Sequence, residues 1–258
     1  MDVKRRLDSE LIDSGVRFLF GVAPADLLVG ISGKVAGVVL AGKSGLFAVT
    51  SRFVIDATSN ALVARLAGIP FSAWNGGDVT FKRVVAGHRA ESDDGSRGRL
   101  LPGRIRGEHG KKPVELEAFE YEVSLPVKAW SPEALAEAEH TLRDRTWHKD
   151  QAWGSDRCGY VPPVSIATGT LHARSADGTF PTDAFSTTME SLFVVGPCAA
   201  MSRDDAALLL LAPHAIAAGE RLGGHVAGLA TKRTDVASPR PLHRKGSDNS
   251  VREPCTCA

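Results

Sequence analysis

Four cysteines in 258 residues are too few for a disulfide framework, and a reducing cytoplasm is the compartment this favours. Neither sign of charge prevails. Thirty-one Lys and Arg face 30 Asp and Glu, a net charge of +1, so no electrostatic argument points to nucleic acid or to a membrane surface. Long hydrophobic runs are missing too. The longest candidate, 206–218, is short and is broken by Pro213 and His214, well below a bilayer span. The opening MDVKRRLDSE lacks the apolar segment of a signal peptide. Motifs of hydrolytic and nucleotide chemistry are equally scarce: there is no Gly-x-Ser-x-Gly elbow, no His-Glu-x-x-His pair, no Walker loop and no Gly-x-Gly-x-x-Gly turn.

What is present reads as a globular α/β chain, with 43% hydrophobic and 24% charged residues. An amphipathic helix is expected over 3–14, with Val3, Leu7, Leu11 and Ile12 on one face and Lys4, Arg5, Arg6 and Glu10 on the other. Short β-like runs follow at 16–20, 26–29, 34–40 and 46–50, punctuated by Gly30, Gly33, Gly42 and Gly45. The last three suggest an antiparallel meander. A strand over 52–56 leads into a helix over 60–67 closed by Gly68. Strands at 80–87 and 116–126 suggest a second sheet, with the Gly-, Arg- and Ser-rich 89–112 between them as a surface loop. Ser131-Pro132-Glu133 opens a helix reaching about Trp147. Strands near 164–173 and 192–195, one long helix over 204–230, and an unstructured tail over 231–258 complete the reading.

Several segments, in order, resemble the FAD-dependent oxidoreductases of the glutathione-reductase-like, two-dinucleotide-binding superfamily. They are Asp13-Ser14-Gly15-Val16-Arg17-Phe18-Leu19-Phe20, the meander carrying Val35-Ala36-Gly37-Val38-Val39, the unit Val54-Ile55-Asp56-Ala57-Thr58 leading to Leu66-Ala67-Gly68-Ile69-Pro70-Phe71, and Ser191-Leu192-Phe193-Val194-Val195-Gly196 ahead of the Ala217–Gly224 helix. The resemblance covers 1–71 and 185–230. It implies an α/β fold: an incomplete FAD/NAD(P)-binding Rossmann-like domain with a β-meander (1–72 and 185–230), plus a smaller α+β substrate-type domain (73–184). It implies FAD as cofactor, a small-molecule substrate, and hydride transfer from that substrate to the flavin. Val22 and Ala23 would meet the adenine, Ala57, Thr58 and Ser59 the ADP portion, and Gly196, Pro197 and Cys198 the ribityl chain and ring.

The pattern departs from the family in three places. The glycine-turn unit that cradles the pyrophosphate is not seen, Ser59 stands where glycine is usual, and Pro197 removes a backbone donor beside Gly196. Asp204 and Asp205 add carboxylates at the start of the late helix. The expectation is therefore a truncated chain or one completed by a second polypeptide. Alone it should hold FAD weakly and expose a sheet edge that drives association. The alternatives are a catalytically inactive flavoprotein-like subunit or scaffold, and a fragment of a split reading frame. No partner in the form of nucleic acid, membrane or metal is expected.

The remaining candidates have bland counterparts. Cys198 reads as a redox thiol at a helix N-terminus or, preferably, as a small packing residue. Cys158 reads as a buried apolar residue. Cys255-Thr256-Cys257-Ala258 suggests half a metal site or a prenylation box, against a loose tail as the better reading. Trp147, His148 and His172 are candidates for lining a pocket, and Arg104 and Arg106 for meeting an anion, with structural or solvated roles preferred.

Overall fold

The structure is a computed structural model and describes residues 2–89, 98–109, 112–232 and 239–242. Helix α1 (Asp2–Asp13) is followed by the meander β1 (Ala23–Val29), β2 (Val35–Gly42) and β3 (Gly45–Thr50). Then come β4 (Val54–Asp56) and α2 (Leu62–Leu66). The second sheet is built from β5 (Gly77–Ala86), β6 (Arg99–His109), β7 (Lys112–Val127) and β8 (Trp153–Gly154), with α3 (Pro132–Arg145) between the last two. A 3-10 turn at Thr182–Phe185 precedes β9 (Leu192–Val194), α4 (Arg203–Leu208), α5 (Ala212–Lys232) and β10 (Arg240–Pro241).

Three sheets result, in the orders β10-β1-β2-β3, β4-β9 and β6-β7-β5-β8. The first and third are antiparallel, and β4 and β9 pair in parallel, Val54 with Leu192 and Asp56 with Val194. One apolar core lies under the meander and the parallel pair, where Leu27, Val35, Val63, Ala64, Ile69, Leu192 and Val194 meet. In the second sheet, Val79, Phe81 and Val85 of β5 oppose Tyr121, Val123 and Leu125 of β7 on one face. Ala138 and Leu142, one turn apart on α3, close that face. Ser131 caps α3 as expected, its hydroxyl accepting from the Ala134 amide at 3.3 Å.

Several sequence expectations change. Residues 16–20 form no strand; Phe18 and Phe20 stack edge to face at 5.4 Å on the surface instead. β1 pairs along its length with β2 and at its Leu28–Val29 end with β10, and residues 16–20 join neither ladder. Helix α1 forms, but Leu7, Leu11 and Ile12 on its apolar side are exposed. The stretch expected as a surface loop contains β6, whose Arg99, Arg104 and Arg106 register against Glu120, Glu117 and Glu115 of β7. Opposite charges across strands stabilise a segment whose composition looks like loop. Residues 90–97 and 110–111 of that stretch lie outside the described residues.

Residues 164–173 do not form a strand either. Their backbone groups are shared among Ser72, Pro70, Cys198 and Ala200 rather than one neighbour. The long late helix is two helices, because Pro213 cannot continue a helix through Leu209 and instead occupies the first turn of α5. In the presumed tail, Leu28 and Val29 of β1 pair with Pro241 and Arg240. Cys255, Cys257 and Ala258 lie outside the described residues.

Gly37 sits in β2 with φ of 150° where β3 crosses, and a Cβ there would stand 2.1 Å from the Val49 carbonyl oxygen. Backbone cannot yield as a side-chain tip can. Gly37→Ala is expected to cost about 2 kcal/mol or more, read as a lower urea midpoint at unchanged slope, and an unchanged midpoint would contradict this packing.

Candidate functional site

Parallel strands end where their successive carbonyls and the following turn amides face a common crevice, and in open α/β sheets ligands bind there. The carboxyl ends of β4 and β9 run into Ala57–Ser59 and Gly196–Cys198. The two turns lie side by side: Val195 donates its amide to the Asp56 carbonyl at 2.9 Å, and the Cys198 thiol donates to the Ser59 carbonyl at 3.7 Å. Gly196 has φ of 141°, and a Cβ there would lie 4.0 Å from the Thr58 carbonyl oxygen. Glycine therefore allows the conformation and leaves the space over Thr58 open.

The first turn is set by a buried carboxylate. Asp56 Oδ1 accepts from the Thr58 amide at 3.0 Å and its hydroxyl at 2.7 Å, and Oδ2 accepts from the Ala64 amide at 3.0 Å. The Thr58 hydroxyl in turn accepts from the Leu62 amide at 2.7 Å, satisfying an orphan donor at the start of α2. Thr58 thus spends its hydroxyl on the fold, while Ala57 and Ser59 stay exposed. Asn60 donates from Nδ2 to the Tyr160 hydroxyl at 2.7 Å, tying this turn to the second sheet's core. Burial, more than any neighbour, raises the Tyr160 pKa.

The second turn is set by Arg203, which sequence reasoning missed. Its guanidinium donates to the carbonyls of Pro162, Val164, Pro197, Ala199 and Met201 at 2.7–3.3 Å. Nη1 serves Pro162, Val164 and Pro197 and Nη2 serves Ala199 and Met201, so the two terminal nitrogens of the fork bind two stretches of chain, and burial lowers the Arg203 pKa. No spacing rule could reveal it, since its acceptors are backbone. Beside it, a hollow of about 290 Å³ is lined by Ser72, Thr168, Thr170, Leu171, Ser202 and Arg203, among others. His172 adjoins this hollow, its amide bonded to the Ala200 carbonyl. A larger hollow of about 400 Å³, between the β1–β2 turn and residues 188–190, lies at the opposite, amino end of β9.

The structure therefore brings Ala57, Thr58, Ser59, Gly196, Pro197 and Cys198 together. Val22 lies against Gly42, and Ala23 opens β1, about four strand residues, ~13 Å, from the Leu27 that packs near α2. Trp147 and His148 are at the edge of the second sheet, apart from His172. Arg104 lies 3.9 Å from Glu115 on the exposed ladder. Pro197 and Cys198 are buried beneath the two turns.

Cys198 is not a poised thiolate. It is fully buried, and desolvation pushes its pKa up to about 11 despite the nearby Arg65 and Arg203. The neutral thiol is the form present at pH 7, as the packing reading requires. Burial also raises the Cys158 pKa. Alkylation at pH 7.5 followed by peptide mass mapping should leave Cys198 unmodified until denaturant is added; rapid native modification would contradict its placement. Asp56→Asn, which replaces an acceptor oxygen by an amide donor facing N–H groups, should cost about 2 kcal/mol in chemical denaturation, and a neutral result would remove Asp56 from the turn's support.

No curated protein matches the sequence at a significant level. Similar solved structures include a triple mutant of the flavin-dependent brominase Bmp2 (12% identity, TM-score 0.46, 90% of this chain and 57% of that one). Others are CabE, an aromatic hydroxylase from angucycline biosynthesis (14%, 0.47, 89% and 43%), and the OxyS anhydrotetracycline hydroxylase from Streptomyces rimosus (15%, 0.40, 86% and 42%). The chain thus spans between 42% and 57% of the length of these proteins. The family described as FAD dependent oxidoreductase matches residues 3–154. That match runs through the second sheet, which the sequence resemblance had left unassigned. More than half of the chain lies within it, and the protein belongs to the FAD-dependent oxidoreductase family, whose cofactor is FAD.

Proposed function

We propose that the chain is an FAD-dependent oxidoreductase that oxidises a small organic molecule, with the nucleotide-cradling unit supplied by a second polypeptide. The observation that carries this reading is the pairing of the two turns at the carboxyl ends of β4 and β9, where Ala57–Ser59 and Gly196–Cys198 lie side by side. Exposed Ala57 and Ser59 and the open space over the Thr58 carbonyl suit close approach of an elongated cofactor. Bound FAD would supply the redox chemistry there, acceptance of a hydride from substrate. Asp56 holds the first turn, Arg203 holds the second, and Pro197 and Cys198 are buried beneath them. The hollow beside Arg203, about 290 Å³, suits a small substrate at the lower end of ligand-pocket sizes. In this reading 1–72 and 185–230 form the FAD-binding part and 73–184 the substrate part, in a cytoplasmic enzyme. Among the described residues no helix is long and apolar enough to cross a membrane.

Support for a second polypeptide comes from uncovered apolar surface. Leu7, Leu11, Ile12, Leu19 and Phe20 are exposed, and among the described residues β4 has β9 as its one ladder partner. The alternative, a catalytically inactive scaffold, is favoured by one observation: Asp56, Thr58 and Arg203 spend their polar groups on the fold.

FAD titration separates the readings. Flavin fluorescence should be quenched at least about tenfold more tightly when the chain is co-purified with an adjacent-frame polypeptide carrying a glycine-rich βαβ unit. Equal affinity without that polypeptide would remove the split-enzyme proposal, and no retained flavin in either sample would leave the scaffold.

A further inference from the structure

Away from the crevice, at the edge of the second sheet, two imidazoles and a carboxylate converge. The His88 and His148 rings stack with centroids 3.9 Å apart and planes inclined by 27°. His148 Nδ1 lies 3.7 Å from Asp150 Oδ2, and one ligand atom from each of His88, His148 and Asp150 lies within 4.8 Å of the others. We propose that His88, His148 and Asp150 form a binding site for a divalent transition-metal cation, with zinc the best fit.

The backbone holds this cluster together before any ion arrives. Ala86 pairs with Trp153 across β5 and β8, and the Ala152 amide donates to the Ala86 carbonyl at 3.0 Å. Gly87 has φ of 104°, and a Cβ there would lie 2.8 Å from the Ala152 amide nitrogen. Glycine thus lets the two segments touch and delivers His88 against His148. On the other side, the Gln151 amide donates to the His148 carbonyl at 3.0 Å, and its side chain donates to the Thr146 carbonyl at 2.6 Å. The turn carrying His148 and Asp150 is closed on itself by these bonds.

The distances suit coordination. With zinc bonds of about 2.1 Å to nitrogen and oxygen, a 3.7 Å separation of His148 Nδ1 and Asp150 Oδ2 subtends roughly 120° at the ion, near the tetrahedral range. Stacked rings aim their in-plane lone pairs side by side, so the exposed His88 ring must turn out of the stack for the third bond to form, and the farthest ligand atom moves by roughly 1 Å, because two ligands of one zinc stand at most about 4.2 Å apart. The ion would replace two weak contacts, the Asp150 amide donating to His148 Nδ1 at 3.2 Å and Lys149 Nζ at 4.0 Å from the Asp150 carboxylate. Imidazole pairs with one carboxylate select zinc, nickel or copper over magnesium and calcium, which favour all-oxygen shells. His88 and Asp150 are exposed, so a fourth position is open to water. The site would act as a clip between the end of β5 and the turn after α3.

Zinc titration of the untagged full-length chain by calorimetry and chelator competition tests the site. One equivalent should bind, magnesium should not compete, and zinc should raise the thermal midpoint. His88→Ala and His148→Ala should each weaken binding at least about tenfold and abolish the thermal shift. His88→Gln and His148→Gln, which keep polar side chains at the β5–β8 junction, should do the same. A Cys255→Ser/Cys257→Ser double variant should keep full affinity. Absence of stoichiometric binding, undiminished affinity in the histidine variants, or loss of binding in the cysteine variant would each overturn the proposal.

Discussion

Two three-residue strands from distant parts of the chain, Val54–Asp56 and Leu192–Val194, run parallel and in register, and the crevice depends on that contact. Parallel pairing cannot be closed by a tight turn, so the whole second sheet is accommodated in the connection. Once the two strands align, the turns that follow them must emerge at the same end. The side-by-side arrangement of Ala57–Ser59 and Gly196–Cys198 is a consequence of register.

So short a ladder needs support, and the chain supplies it with polar groups placed at the turns. The Asp56 carboxylate gathers three donors from its own turn and from α2. Arg203 gathers five carbonyls on the opposite side. Each is costly to bury unless its hydrogen bonds are nearly all made. The same satisfaction that makes them good supports removes them from chemistry: the crevice is shaped by side chains that face away from it. A bound cofactor would meet mainly backbone and small side chains, as befits a protein whose contribution is orientation.

The elements legible in the sequence were those whose signals are local. The meander, the Ser131 cap, the alternation along β7 and the strand leading to α2 follow from periodicity and cap chemistry within a few residues. The placement of Ala57–Ser59 beside Gly196–Cys198 was legible only through the order of segments shared with a family. Val22 and Ala23 were assigned to the adenine by the same resemblance, and they stand at Gly42 and at the start of β1. The β6 strand was hidden because its stability lies in glutamates of β7, and residues 16–20 looked like a strand although no described strand pairs with them.

Taken alone, the amino-acid order determined where chain direction changes and which faces are apolar, because φ restrictions, caps and side-chain alternation act over a few bonds. It also carried enough shared pattern to indicate the flavoprotein family. Only the tertiary structure decided that Pro213 divides the late helix, that Cys198 is sealed and protonated, that Arg203 clamps five carbonyls, and that His88 meets His148. Those outcomes depend on desolvation and on hydrogen-bond partners far away in sequence, and neither is encoded in any short window of residues.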